Sequence, residues 1–270
     1  MSLKDQQITD LLCRYGELSV QRLSTFLKVS PSSIRRYLSS VEAHSFIRRT
    51  HGGAALSKAL QYHTMPVAFQ PADETEVRAI AYQAGQLIES GDIIGLSGGR
   101  ICTELALNLR FRENITVVTN AVNIACELAG LPGIKVMVCG GMLDPGSFEL
   151  VGTLLPKALE GIFIHKFFVG TDGITIENGL TNRSEPEAMA AREFSLHSGQ
   201  TILLADHKKF IRSDLSRVIP AKNISTIVTT PKVPVEVLQE FANLGVDILL
   251  ASREKLEHFS TASHTETEYG

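Results

Sequence analysis

The chain has 270 residues, enough for about two domains. It is 44% hydrophobic and 20% charged, the balance of a globular protein with a sizeable core. The net charge of −3 hides an asymmetry: residues 1–60 hold nine Lys/Arg against four Asp/Glu, a surplus of +5, and the rest of the chain is −8. Such a split points to a polyanion-binding head on an acidic body; chance clustering on a solvated surface is the plainer alternative. No apolar run approaches the ~20 residues of a membrane span, and the first eight residues lack the apolar core of a signal peptide. A cytoplasmic location, with no membrane partner, is expected. The four cysteines (Cys13, Cys102, Cys126, Cys139) are scattered, with neither C-x-x-C nor zinc-ligand spacing. Buried free thiols are expected, with no metal and no cofactor.

In chain order, the first 45 residues read as three short helices. The first covers 4–15, with Ile8, Leu11, Leu12 and Tyr15 at helical spacing and Gly16 as a stop. Ser19 caps the second, which places Val20, Leu23, Phe26 and Leu27 on one face. Ser30 caps the third, and Pro31 takes its first position, where a missing N–H costs nothing. Ile34, Leu38 and Val41 form its buried stripe, and Arg35 and Arg36 project away. Residues 46–54, Phe-Ile-Arg-Arg-Thr-His-Gly-Gly-Ala, alternate like a strand and then reach a glycine pair suited to a tight turn, which reads as a β-wing. The stretch over 56–74, with Pro66 and Pro71, has no period and reads as a linker.

From Glu76 the pattern changes to strands alternating with helices. Strands are expected at 93–96, 115–118, 134–138, 166–169, 201–204, 226–228 and 247–249. Helices are expected at 76–89, 102–109, 122–129, 186–197 and 234–244. This alternation predicts a Rossmann-like, mainly parallel α/β sheet with helices on both faces, whose ligands bind at the carboxyl ends of the strands. The expected fold is thus an N-terminal, mostly helical winged helix-turn-helix followed by a C-terminal α/β domain. The boundaries read as 1–57 for the head, 58–75 for the linker, 76–252 for the second domain and 253–270 for a polar tail.

The head carries DNA chemistry. A helix fits the major groove, where arginine pairs bidentately with guanine and serine bonds bases or phosphates. Ser32, Ser33, Arg35 and Arg36 lie in the first two turns of the third helix. Arg48, Arg49, His51 and Gly52 on the wing would meet phosphates or the minor groove. A three-helix packing module with solvated arginines is the simpler alternative. The combination of charge, arginine placement and basic wing favours double-stranded DNA as the partner.

The runs Val29-Ser30-Pro31-Ser32-Ser33-Ile34-Arg35-Arg36-Tyr37-Leu38 and Ile47-Arg48-Arg49-Thr50-His51-Gly52-Gly53-Ala54 resemble the signature of the DeoR family of bacterial sugar-responsive regulators. That family shows an I-R-R-D-L recognition helix and an R-R-x-H-G-G-A wing. Tyr37 departs from the usual Asp. The resemblance continues to about Thr230 through Thr119-Asn120, Gly140-Gly141, Val151-Gly152, Gly170-Thr171-Asp172-Gly173, Gly179-Leu180-Thr181 and Asp206-His207-Lys208-Lys209-Phe210. It implies a sensor domain similar in fold to ribose-5-phosphate isomerase, a phosphorylated sugar effector and a homo-oligomer.

Local chemistry agrees with that implication. Ser97-Gly98-Gly99-Arg100 joins a strand to a helix N-terminus, whose free amides suit phosphate. Thr119 and Asn120 end the next strand, and Gly140 and Gly141 would let backbone approach a ligand. Each also fits ordinary turn chemistry. Asp172, Glu187, Asp206 and Lys209 complete the effector-binding set, with carboxylates for sugar hydroxyls and Lys209 for a phosphate or for Asp206. Where the family shows D-x-G-T-T-T, this chain has Arg100, Ile101 and Cys102 at the hydroxyl positions and Ser97 at the acid. Arg100 could replace the lost hydroxyls with a charge-assisted fork. Ala191 stands where a basic residue is common, and Arg192 beside it is a candidate substitute. The reading is therefore a sequence-specific DNA-binding regulator, a repressor of a carbohydrate operon released by a sugar phosphate, with no catalytic residue. The alternatives are a sugar-phosphate isomerase-like enzyme, or a constitutive DNA binder whose second domain only oligomerises.

Overall fold

A computed structural model describes residues 8, 11–12, 17–42, 47–50, 52–56 and 74–251. The chain divides into two units, Met1–Glu74 and Thr75–Gly270. The rest of the expected first helix, His51, the linker over 57–73 and the tail over 253–270 lie outside the described residues, as do the side chains of Val41, Arg48 and Arg49.

In the first unit, helix α1 (Val20–Leu27) starts where the Ser19 hydroxyl accepts the Arg22 N–H at 3.3 Å, satisfying an orphan donor of the first turn. Val20 and Leu23 are buried. Phe26, expected on the same face, is instead 44% exposed. At about 100° per residue it lies beyond the narrow stripe formed by Val20, Leu23 and Leu27. Helix α1 closes on Lys28, whose left-handed backbone (φ 51°) lets its N–H bond the Ser24 carbonyl. Helix α2 (Pro31–Glu42) is capped as expected: Ser30 Oγ accepts the Ser33 N–H at 3.2 Å. Ile34 and Leu38 are buried beneath it, in one cluster with Ile8, Leu12, Leu18, Val20 and Leu23.

Three short strands complete this unit: β1 (Glu17–Ser19), β2 (Ile47–Thr50) and β3 (Gly53–Leu56), antiparallel in the order β1-β3-β2. The wing hairpin was expected. Strand β1 was not, since three residues with only Leu18 buried are too few to show alternation. The two wing glycines also differ in role. Gly52 takes φ +90° and makes the turn. Gly53 lies against β1, where a Cβ would stand 2.3 Å from the Leu18 carbonyl.

The second unit opens with α3 (Glu74–Gly85). Strands β4 (Ile93–Leu96), β5 (Ile115–Thr119) and β6 (Ile134–Val138) follow, separated by α4 (Arg100–Leu107) and α5 (Val122–Leu128). A hairpin of β7 (Met142–Leu143) and β8 (Leu150–Val151) leads to α6 (Leu154–Leu159) and β9 (Ile164–Val169). Then come β10 (Gly173–Thr175), β11 (Gly179–Asn182), α7 (Glu185–Leu196), β12 (Ser198–Leu204) and β13 (Ser216–Ile219). Strand β14 (Thr226–Thr229), helix α8 (Val235–Asn243) and β15 (Asp247–Leu250) end the fold.

Seven strands form one parallel sheet in the order β15-β14-β12-β9-β4-β5-β6. Successive strand residues face opposite sides, so Phe167 and Val118 enter one core and Phe168 and Val117 the other. That double burial explains the continuous apolar runs in the sequence. The expected α/β architecture is therefore present. Two small antiparallel pieces were not anticipated, the β7–β8 hairpin and the β10-β11-β13 sheet. Strand β11, Gly179-Leu180-Thr181-Asn182, is buried at every residue and shows no alternation to read. Cys102 and Cys139 are buried thiols, but Cys126, contrary to expectation, is exposed, because it lies on the outer face of α5. Among the described residues, no helix is long and apolar enough to cross a membrane.

Candidate DNA-binding head and effector cleft

In α2 the serines meet at the N-terminus. Ser30 Oγ lies 2.9 Å from both Ser32 Oγ and Ser33 Oγ, so these hydroxyls hold the first turn in shape. Arg35 and Arg36 are exposed on the helix surface, and the Arg36 guanidinium sits 5.6 Å from the Tyr37 ring centroid. Tyr37 is half-buried against the head's core, so much of its bulk goes into packing. On the wing, Arg48 pairs with Ala55 and Arg49 with Ala54. Gly52 is exposed at the turn, and the Val20 N–H donates to its carbonyl at 2.8 Å, tying the start of α1 to the wing tip.

The second unit has one place where chain direction across the sheet reverses. From β4 the chain runs outward through β5 and β6, then returns to β9 on the other side of β4. In open parallel sheets such a switch point, at the carboxyl ends of the strands, leaves a crevice for ligand. The loop after β4 is Ser97-Gly98-Gly99, leading into α4; the loop after β9 is Gly170-Thr171-Asp172. Ser97 is buried and pins the two together, its hydroxyl accepting the Gly170 N–H at 3.2 Å. Gly99 takes φ 94° at the N-cap of α4 and brings no capping side chain. Arg100 follows, exposed, as the first residue of that helix. Ile101 packs on the core, and Cys102 is buried with its thiol pushed up to about 12 by burial, so it is inert as a nucleophile.

Several expected ligand groups are committed elsewhere. The Thr119 hydroxyl, fully buried, donates to the Leu96 carbonyl at 2.7 Å and accepts the Ala121 N–H at 3.0 Å, which ties β5 to β4. Gly141 serves packing: a Cβ there would stand 2.5 Å from the Val151 carbonyl on β8. Gly140 is exposed and open. Asp206 accepts the Lys208 N–H at 2.9 Å and so caps the short 3-10 helix His207–Ile211. Lys209 does not pair with Asp206; its ammonium lies 3.8 Å from Asp172 Oδ1. The capping geometry turns the helix so that Lys209 points to the β9 loop. Arg192 does not stand in for the missing base at Ala191, because it donates to the Val218 and Arg217 carbonyls and ties α7 to β13.

Asp172 is the hub of the β9 side. It accepts Arg183 side-chain and backbone N–H groups at 2.8 and 3.1 Å, with Lys209 at 3.8 Å and Arg212 at 4.0 Å. Burial alone would raise its pKa, but the hydrogen bonds from Arg183 outweigh it and hold the carboxyl below its usual range. Glu187, half-buried on α7, is pushed up by burial and by the charges of Asp144 and Asp172.

The most telling side chain was missed in the sequence. Glu149, 7% exposed, precedes β8 and projects onto the β4 loop. A Cβ on Gly98 would stand 2.3 Å from its Oε1. Asn120 holds its Oε2 at 2.9 Å, and the Gly98 N–H also bonds the carboxylate. Burial, with Glu187 and Asp144 nearby, pushes its pKa up to about 7. Phe148, just before it, has φ +61°, an outlying conformation for a bulky residue. An acid between Phe148 and Leu150 in an otherwise apolar stretch was the available signal. Arg183 and Arg212 were also missed, having no pattern to mark them.

A winged helix-turn-helix and a doubly wound domain with a topological switch point are the architecture expected of a DNA-binding transcriptional regulator with a sensor domain. Two family descriptions match, the DeoR-like helix-turn-helix domain over residues 4–59 and the DeoR C terminal sensor domain over 73–230. The chain belongs to the DeoR family. It is 29% identical to the HTH-type transcriptional regulator GolR of Listeria innocua, over 92% of this chain and 98% of that protein. It is likewise 29% identical to the Transcriptional repressor AccR of Agrobacterium fabrum, over 84% and 90% of the two chains. Identity to the Lactose phosphotransferase system repressor of Lactococcus lactis is 27%, over 88% and 94%.

Proposed function

We propose that this regulator is a cytoplasmic repressor of a carbohydrate-utilisation operon, released from its operator by a phosphorylated sugar bound at the β4–β9 switch point. The observation that carries the reading is the meeting of the β4 and β9 loops at the topological switch point, where the Ser97 hydroxyl accepts the Gly170 N–H. Its β4 side offers backbone amides of a glycine loop at a helix N-terminus, with Arg100 at hand. Its β9 side offers Asp172 and Lys209 for hydroxyls and phosphate. The repressor names of the Agrobacterium and Lactococcus relatives, the latter naming a lactose phosphotransferase system, support the sense of regulation.

Residues 1–57 act as the DNA-binding head, 58–75 as the linker and 76–252 as the sensor. Ser32, Ser33, Arg35 and Arg36 face base edges; Arg48, Arg49, His51 and Gly52 meet phosphates or the minor groove. Homo-oligomers place two heads on half-sites at a fixed helical spacing. Effector binds one arrangement more tightly and so shifts the population away from the operator-binding state. Titration of purified protein on DNA upstream of its own gene, alone and with a panel of sugar phosphates, checks this reading. One compound should weaken specific binding by about 5- to 150-fold. Specific binding that no compound changes would exclude the effector, and absence of specific binding would exclude the operator assignment.

A further inference from the structure

We propose that Glu149 is a specificity-determining residue of the cleft: its carboxylate occupies the Gly98 end of the β4 loop, so that a dianion seated there is taken up together with one proton. The inference rests on the β4 loop being the anion subsite proposed above. The structure gives this loop an internal acceptor. Glu149 is buried and fixed by Asn120 at 2.9 Å. It takes the Gly98 N–H, one of the amides an incoming anion would use.

A carboxylate and a dianionic phosphate cannot share that space without strong repulsion in a buried setting. Protonation resolves the conflict. The proton comes from solvent and the acid then donates to an anion oxygen, so the acceptor that competes for the loop becomes a donor that completes it. The two carboxylates whose charges bear most on Glu149 push the same way, and with burial they outweigh the hydrogen bonds from Asn120 and Gly98. Glu187 on α7 and Asp144 on the β7–β8 hairpin both raise its proton affinity. Cys102 on α4, itself held protonated, adds no charge. With a value of about 7, the proton is available near neutrality and scarce above it. Binding is therefore strongest below pH 7 and falls as pH rises.

Sulfate is the appropriate probe, because it stays a dianion between pH 6 and 8.5 and brings no titration of its own. Calorimetric titration of the full chain with sulfate should show affinity falling by about tenfold per pH unit above 7.5, the slope of one obligatory proton. Repetition in buffers of differing ionisation enthalpy should show uptake of close to one proton per sulfate at pH 8, a result that needs no variant. Glu149→Gln keeps the Asn120 contact and should bind sulfate equally at pH 6.5 and 8.5. Sulfate binding by the wild type that is flat across this range, with no proton uptake, would overturn the role of Glu149 and leave the anion subsite standing. An unchanged pH slope in Glu149→Gln would do the same. No sulfate binding at any pH would overturn the subsite and this inference together.

Discussion

Replacing Arg35 and Arg36 together with alanine should cost this regulator at least about 30-fold in specific operator affinity, two contacts at about 1–3 kcal/mol each. Both side chains are exposed in the first two turns of α2, the end of a recognition helix that meets base edges. The buried stripe of that helix, Ile34 and Leu38, is untouched, and alanine is the better helix former. The variant should therefore melt with the wild type while binding fails. Fluorescence anisotropy on specific and scrambled duplexes separates the two effects: affinity for specific DNA should drop toward that for scrambled DNA. A loss of less than about fivefold, too small for even one bidentate contact, would show that α2 does not read bases through these arginines.

The second large effect concerns stability. Glu76, in the first turn of α3 and 5% exposed, accepts the Thr230 hydroxyl at 2.6 Å, the Lys232 ammonium at 2.8 Å and the His207 ring at 3.0 Å. Burial opposes its charge, but these bonds outweigh it and lower the pKa from 4.5 to about 2. Glu76→Gln should lose roughly 2–3 kcal/mol at pH 7, from about 1.4 kcal/mol per unit, discounted because Lys232 is solvent-exposed. The sign follows from the depressed pKa. The wild-type advantage is full above the unfolded value near 4.5 and is lost as pH falls toward 2. Urea unfolding of both proteins should show the gap intact at pH 7 and 5.5 and reduced to about half by pH 3. A gap that is constant with pH would mean that packing, and not charge, holds this corner.

Much of this architecture could be read from residues alone. Alternation of apolar runs with helical periods marked all seven strands of the parallel sheet, since strands buried on both faces leave an unbroken apolar signature. Ser19 and Ser30 announced their helices because capping is local chemistry. What escaped was non-local. Strand β1 exists only because Gly53 lets β3 approach Leu18 closely, and nothing near residue 18 records that. Strand β13 joins the β10–β11 hairpin from beyond α7 and β12. At the cleft, glycines and carboxylates were legible as types but not as partners. Thr119 and Gly141 turned out to hold strands together, and Lys209 chose Asp172 over the nearer-in-sequence Asp206. Glu149 acquires its role solely from lying against Gly98, some fifty residues earlier in the chain. Such pairings are set by the sheet's topology, and a single sequence carries no trace of them.

In the proposed reading, a ligand at the β4–β9 switch point controls the grip of the head on DNA. The most direct test is operator affinity of the wild type and of Lys209→Met, each with and without the sugar phosphate that releases the wild type. Lys209→Met removes the cleft's ammonium and leaves the head intact. It should bind the operator as tightly as the wild type in the absence of ligand, and remain bound at ligand concentrations that free the wild type by tenfold or more, within the usual range of allosteric coupling. Release of Lys209→Met at the same ligand concentration as the wild type would place the effector elsewhere on the molecule and rule out the switch point as the controlling site.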